Sequence, residues 1–384
     1  MKKLTILFFL LLLIAGAKAN DGVFYASGNQ LIPVTETDIS VRKEVLTINR
    51  VGDRLEVTVY YEFFNPTKPK DLLVGFEAEP PYDSYVDMAE VFPNHPHISN
   101  FTVTINGDRL GYEVAHVLYD DEDYRKLDYF KNGQFSDLSR EQCIKTMNEY
   151  EGMGYPFYYV YHFNAHFREG LNIVQHTYDF EISNSVAEEY RFTYILTAAN
   201  RWANHQIDDF TLNIDMGERE SFCMDQSFFS SVDEWTFKGK GRATPSGKWE
   251  RQSEPMFHVQ RGSISFHKDN FHPDGELNIS KPIVLYLLPC GFAGCGATEI
   301  LDLVKQTMCD LAPLKDDDLK DELDADQRRI MKNIPFAYRG RVFKNEKLRR
   351  FFESTDWYVP DPDYVDDMST MSETERGWIY YWSE

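Results

Sequence analysis

From about Ile39 to Leu288 the apolar residues recur mostly at every second position, the period of a strand with one buried face. Val45, Leu46 and Ile48 end one such run and Gly52-Asp53 reads as a turn. Leu55, Val57, Val59 and Tyr61 then alternate with polar partners, which predicts a β-hairpin stopped by Asn65-Pro66. Phe157, Tyr159, Tyr161, Phe163, Ala165 and Phe167 alternate again, and Glu169-Gly170 turns the chain. Beyond it Ile173, Gln175, Thr177 and Asp179 face one way, and Val174, His176, Tyr178 and Phe180 the other. Further strands are expected over Tyr190 to Leu196, Phe210 to Ile214, Phe257 to Phe266 and Ile283 to Leu288. Many strands, short turns and no regular alternation with helices predict a mainly β fold over residues 20–290, built as one or two antiparallel β-sandwiches.

Residues 120–152 break that rhythm. Tyr124, Leu127, Phe130, Cys143, Met147 and Tyr150 fall at helical spacings and predict a helical insertion. Residues 291–322 read as a helix, Ala297 to Leu311 with Ile300, Leu301, Val304 and Met308 on one face, followed by an acidic linker. Residues 323–384 read as a helical C-terminal module. Asp324-x-x-Gln327 and Ser372-x-x-Glu375 fit capping boxes, and Pro335 can kink or end the first helix. Gly340 suits a left-handed stop, and Glu346 to Glu353 presents Leu348, Phe351 and Phe352.

The order of residues in this module resembles the YARHG domain. The motif place is held by Phe336-Ala337-Tyr338-Arg339-Gly340, which departs at three letters, and Asn333, Phe343, Leu348, Phe352, Trp357, Tyr358, Pro360, Glu375 and Ile379 follow the surrounding pattern. The resemblance covers about the last 60 residues. It implies an extracellular or envelope-associated protein with no established activity, and arginine in place of the motif histidine argues against a titrating role there. The first part is similar to exported bacterial proteins of unknown function in its Asn20-Asp21-Gly22 and its Tyr61-Glu62-Phe63-Phe64-Asn65-Pro66.

The two ends of the chain carry the address and the charge. Lys2 and Lys3, the apolar run Leu4 to Ile14 and Ala17-Lys18-Ala19 form a signal peptide over 1–19, cleaved after Ala19. No later run is apolar enough to span a membrane, so an exported protein, periplasmic or secreted, is expected. The chain carries a formal charge of −22, which makes it a poor partner for nucleic acid or an anionic bilayer surface, since the long-range field repels both. Asp316 to Asp326 is strongly acidic, and Arg328 to Arg350 reverses the sign with nine Lys/Arg against Glu346 alone. Within that stretch Arg339, Arg341, Lys344, Lys347, Arg349 and Arg350, joined by Trp357 and Tyr358, are the expected binding residues. The alternative is that the same cations dock the module on neighbouring acids such as Asp361, Asp363, Asp366 and Asp367.

The cysteines number five, and Cys290 and Cys295, flanking a loop with two glycines, are the expected disulfide. No metal site and no cofactor is expected. His162 and His166 sit four apart on a strand, about 13 Å, too far for one ion. His95-Pro96-His97 has nothing to complete a site. Gly241 to Lys248 has the wrong spacing for a phosphate loop and reads as a hairpin turn. Trp202 reads as an aromatic plug at a sandwich end rather than a sugar platform. The expected function is non-enzymatic: binding or scaffolding toward an envelope glycan or envelope protein. The alternative is a hydrolase of envelope polymers working through carboxylates on the sandwich.

Overall fold

The computed structural model describes residues 27–33, 37–78, 92–118, 138–149, 157–182, 188–249, 252–283, 296–308, 315 and 317–383. The expected signal peptide, the first part of the insertion and the Cys290–Cys295 pair lie outside these residues.

The strands are β1 (Ser27–Pro33), β2 (Ser40–Val51), β3 (Arg54–Asn65), β4 (Lys70–Ala78), β5 (Ile98–Ile105), β6 (Asp108–Arg109) and β7 (Glu113–Leu118). They continue with β8 (Phe157–Phe167), β9 (Gly170–Glu181), β10 (Glu188–Ile195), β11 (Ile207–Asp215) and β12 (Glu220–Met224). The last are β13 (Trp235–Thr244), β14 (Met256–Phe271) and β15 (Leu277–Pro282). The first described helix, α1 (Arg140–Glu149), lies in the expected insertion and buries Cys143. The fifteen described strands join in one sheet, in the order β6-β5-β9-β3-β2-β11-β14-β12-β15-β10-β1-β4-β8-β7, with β13 on the other edge of β14. The pairing is antiparallel except where β1 meets β10 and β2 meets β11.

This sheet folds on itself. The half from β6 to β14 packs against the half from β12 to β7, as cross-layer contacts show. Phe180 meets Phe192 with ring centroids 5.3 Å apart, Phe76 meets Tyr178 at 5.1 Å, and the hydroxyls of Tyr61 and Tyr194 lie 3.2 Å apart. The inward faces supply the expected alternation: Leu55, Val57, Val59 and Tyr61 of β3 are all buried, and Phe63 continues the same face. Trp202 is 1% exposed and packs on Phe63, the plug expected of it. Glu169-Gly170 does turn the chain, but across the core rather than into a hairpin. β8 pairs with β4 in one layer, and β9 pairs with β3 in the other.

One strand belongs to both layers. Ile264–Phe271 of β14 pairs with β11, whereas Met256–Val259 of the same strand pairs with β12. The bend between them is built from glycine. Gly262 lies opposite Gly239, at φ +89° and +144°, and a Cβ on either would come within 2.3 Å of the facing backbone. The pairing then skips Gln260, since Lys240 faces Arg261 and Gly241 faces Val259. A bulge of this kind increases local twist and re-aims side chains.

The C-terminal helices are α2 (Ala297–Gln306), α3 (Asp317–Glu322), α4 (Ala325–Tyr338), α5 (Glu346–Glu353) and α6 (Glu373–Tyr381). Both expected capping boxes are present, at Asp324 and Ser372. Pro335 lies inside α4 without ending it. Gly340 at φ +87° ends it instead, with its N–H on Ala337 O and that of Arg341 on Phe336 O. The helices share a core of Val304, Met331, Ile334, Phe352, Trp357 and Trp378 that extends onto Cys223 and Met256 of the sandwich strands. Trp357 and Trp378 donate their indole N–H groups to Val304 O and Met331 O, each at 2.6 Å. No helix among the described residues is long and apolar enough to cross a membrane.

Candidate functional site

The motif segment lands at the bend of β14. Gly340 sits so close to the bulge that a Cβ there would lie 2.6 Å from Gln260 Nε2. Asp361 follows the same contour. Its N–H donates to Gly340 O at 2.7 Å, and its carboxylate takes Lys240 Nζ at 2.6 Å and Arg261 at 3.5 Å. The Lys240 hydrogen bond is the main reason the Asp361 carboxyl is held below the usual carboxylate range. A second tether lies at the tip of the β13–β14 hairpin. Asp356, 2% exposed, pairs with Lys248 and accepts Trp249 Nε1–H at 2.6 Å. The segment Gly241 to Lys248 is thus the end of β13 and its turn, with Gly247 at φ +74°.

At the first of these tethers lies a cleft of about 470 Å³ lined by the turn before β12, the bulge and the motif: Glu218, Arg219, Gln260, Arg261, Tyr338 and Arg339, closed by Asp361, Asp363, Tyr364, Val365 and Thr370. Its charged residues balance, three of each sign. Most are already engaged. Arg339 grips Glu375 with both guanidinium nitrogens, one contact at 2.7 Å. Burial would raise the Glu375 carboxyl, and the Arg339 hydrogen bond overrides it and leaves it below its ordinary value. Arg219 pairs with Glu218 at 3.0 Å. What remains is neutral hydrogen-bonding capacity. Gln260, 6% exposed, has its Oε1 without a partner, and so does the buried Tyr364 hydroxyl, whose pKa is raised first by burial and then by Asp366. Val365, 79% exposed, places an aliphatic edge at the mouth.

The expected binding residues do not converge here. Arg339 is in the cleft but committed to Glu375. Arg341 pairs with Asp366 at 3.1 Å and stands over the Phe336 and Phe343 rings. Lys347 pairs with Asp326, and Arg349 and Arg350 pair with Glu346. Lys344 is exposed. Trp357 is buried, and Tyr358 is buried with its hydroxyl on Arg341 O at 2.7 Å; burial pushes that hydroxyl up to about 12. Three more cations, earlier in the same basic stretch, also have no ion pair among the described residues. Arg328, Arg329 and Lys332 line a second cleft with Lys320, Ala325, Trp382 and Ser383. Their spacing, three, four and seven residues after Ala325, puts them on one face of α4, which a helical reading of the charges would have found.

His162 and His166 lie on strand β8, and His166 Nδ1 is 2.8 Å from Asp71. Among the described residues, Asp209, His267 and Asp269 are the side chains within reach of one ion. They are half-buried to exposed, and Lys43 Nζ already sits 2.5 Å from Asp209. Outside both clefts, Glu254 is pushed up to about 7, first by burial and then by a hydrogen bond with Asp225. Two carboxyls in direct contact leave no room for the water or sugar ring that glycoside hydrolysis places between them.

A domain family described as of unknown function, DUF4424, matches residues 19–149 and 161–242, and the YARHG domain matches 304–384. No curated protein matches. Among solved structures, a Legionella pneumophila protein provisionally described as nutrient binding shares 16% identity over 95% of this chain and 99% of its own, with a TM-score of 0.49. A baculovirus protein shares 12% identity over 65% of this chain and 98% of its own, with a TM-score of 0.24.

Proposed function

For a chain that belongs to the DUF4424 family and ends in a YARHG domain, we propose a non-enzymatic binding role in the cell envelope, with the junction cleft taking an uncharged, hydroxyl-rich ligand such as an envelope glycan. The YARHG domain is associated with exported proteins. In this reading residues 1–19 are a cleaved signal peptide and the protein works in the periplasm or outside the cell.

The observation that carries the reading is the unmet hydrogen-bonding of Gln260 Oε1 and the Tyr364 hydroxyl in a cleft with three charges of each sign, most of them already paired. A buried polar atom without a partner is costly, and a ligand that satisfies it recovers that cost. Balanced charge disfavours strongly ionic ligands, whereas a sugar offers both donors and acceptors to amide and phenol groups. The position supports the same conclusion, since ligand clefts favour junctions between structural units.

The test is calorimetric titration of the full chain with a neutral N-acetylglucosamine tetramer. Saturable binding is expected, weakened at least about tenfold by Gln260→Leu or Tyr364→Phe, the loss of one buried hydrogen bond, and unchanged by Arg349→Ala. Absence of binding, or equal binding by all three variants, removes this cleft as a glycan site.

A further inference from the structure

The second cleft, about 330 Å³, is lined by Lys320, Ala325, Arg328, Arg329, Lys332, Trp382 and Ser383. In a chain of charge −22, no carboxylate lines it among the described residues. Each hydrogen-bonding side chain in its wall carries a donor, and Arg, Lys and the indole N–H are donors only.

These donors are largely unspent. Lys320 donates to Tyr381 O at 2.9 Å and stands 4.6 Å above the Tyr381 ring. Arg328 donates to Lys320 O at 3.2 Å and keeps the rest of its guanidinium. Among the described residues neither Arg328, Arg329 nor Lys332 has an ion pair. Of the acids nearest in sequence, Asp324 caps α4, Asp326 holds Lys347 and Asp317 accepts the Tyr381 hydroxyl at 2.8 Å, while Asp321 and Glu322 are exposed and do not line the cleft. Independently of the cations, Trp382 is 3% exposed and its buried indole N–H has no acceptor. The Ser383 hydroxyl already donates to Ile379 O, so the wall offers forked guanidiniums, the Lys332 ammonium and an orphaned N–H. Its complement is a compact group that accepts from several directions at once.

We propose that the α4 face and the chain just beyond α6 form a binding site for a phosphoryl group, separate from the junction cleft. A tetrahedral oxyanion has enough acceptor oxygens for two arginine forks, a lysine and an indole together, and Arg matches phosphate geometry bidentately. The group could be a soluble phosphate ester or the headgroup of an anionic lipid, and both present the same chemistry.

The full chain is titrated with inorganic phosphate and with glycerol 3-phosphate at constant ionic strength, read by ³¹P line broadening. In parallel it is sedimented with phosphatidylglycerol or phosphatidylcholine vesicles. Binding to the soluble phosphates, or selective retention by phosphatidylglycerol, supports the site and identifies the source. Either should weaken about tenfold or more in Arg329→Ala/Lys332→Ala, the loss of charge-assisted hydrogen bonds, and should weaken in Trp382→Phe. Arg349→Ala should bind like the parent. Arg329 is exposed and unpaired, so the double variant should keep its melting temperature, which verifies that it is folded. No binding in either arm, undiminished binding by the double variant, or equal competition by acetate would overturn the assignment.

Discussion

Gly340 stands against Gln260 with no room between them, so the residue that ends α4 also seats the C-terminal helices on the bulge of β14. The contact joins a left-handed backbone position to the one residue that the β13–β14 pairing skips.

Gly340→Ala should therefore act twice. An L side chain at φ +87° costs about 1–2 kcal/mol, and its Cβ would also press on Gln260, on Asp361 Cβ at 2.8 Å and on Val359 O at 3.0 Å. A lowered melting temperature and faster proteolysis within residues 324–383 are expected. An unchanged digestion pattern would mean that the helices do not depend on this seat.

Asp356→Ala removes the second tether. It leaves the Trp249 N–H and Lys248 without their buried acceptor, for an expected loss of about 1–3 kcal/mol by chemical denaturation. Trp249→Phe should recover part of that loss in the double variant, because it removes the stranded donor as well.

Glu254 predicts a stability that falls as pH rises. Its carboxyl is pushed up to about 7 in the folded protein from an ordinary 4.5. The folded state binds the proton more tightly, so the contribution is complete below about 4.5 and is lost as pH rises through about 7. Melting temperatures between pH 4.5 and 7.5 should decline less steeply in Glu254→Gln than in the parent.

His176 predicts the opposite slope. It is wholly buried among Tyr61, Phe76, Phe101 and Tyr178, both ring nitrogens lack partners, and burial holds its pKa down at about 3 against an ordinary 6.5. The unfolded chain takes the proton first, so stability is full above about 6.5 and erodes as pH falls toward 3. His176→Phe should raise the melting temperature and flatten that acid limb. A steeper acid limb would show that another group carries it.

What the sequence disclosed and what it withheld divide along distance in the chain. Alternation over Leu55 to Tyr61 is a local signal, and so are the Asp324 and Ser372 capping boxes and the Gly340 stop; each appears in the structure where the sequence places it. Glu169-Gly170 was legible as a turn, but its crossing between layers depends on partners in β3 and β4 that the turn itself does not encode. The strand expected at Ile283 to Leu288 lies outside the described residues beyond Ile283, and the more polar Leu277–Pro282, which carries no strong apolar run, is a strand because it pairs with β10 and β12. The basic stretch was visible as a block of charge. Which of its members keep a free hand was not, since Arg339 is satisfied by Glu375, 36 residues away, and Arg328 and Arg329 have no such acid. The cleft at the bulge was hidden for the same reason: Gln260 and Tyr364 are unremarkable until the bend brings them together.

Because β14 runs unbroken from one layer into the other, the sandwich has no seam along which its halves could be peeled apart. A partner tugging on the C-terminal helices would load a rib shared by both sheets, through Gln260 and the hairpin tip, and the whole body would bear the strain together.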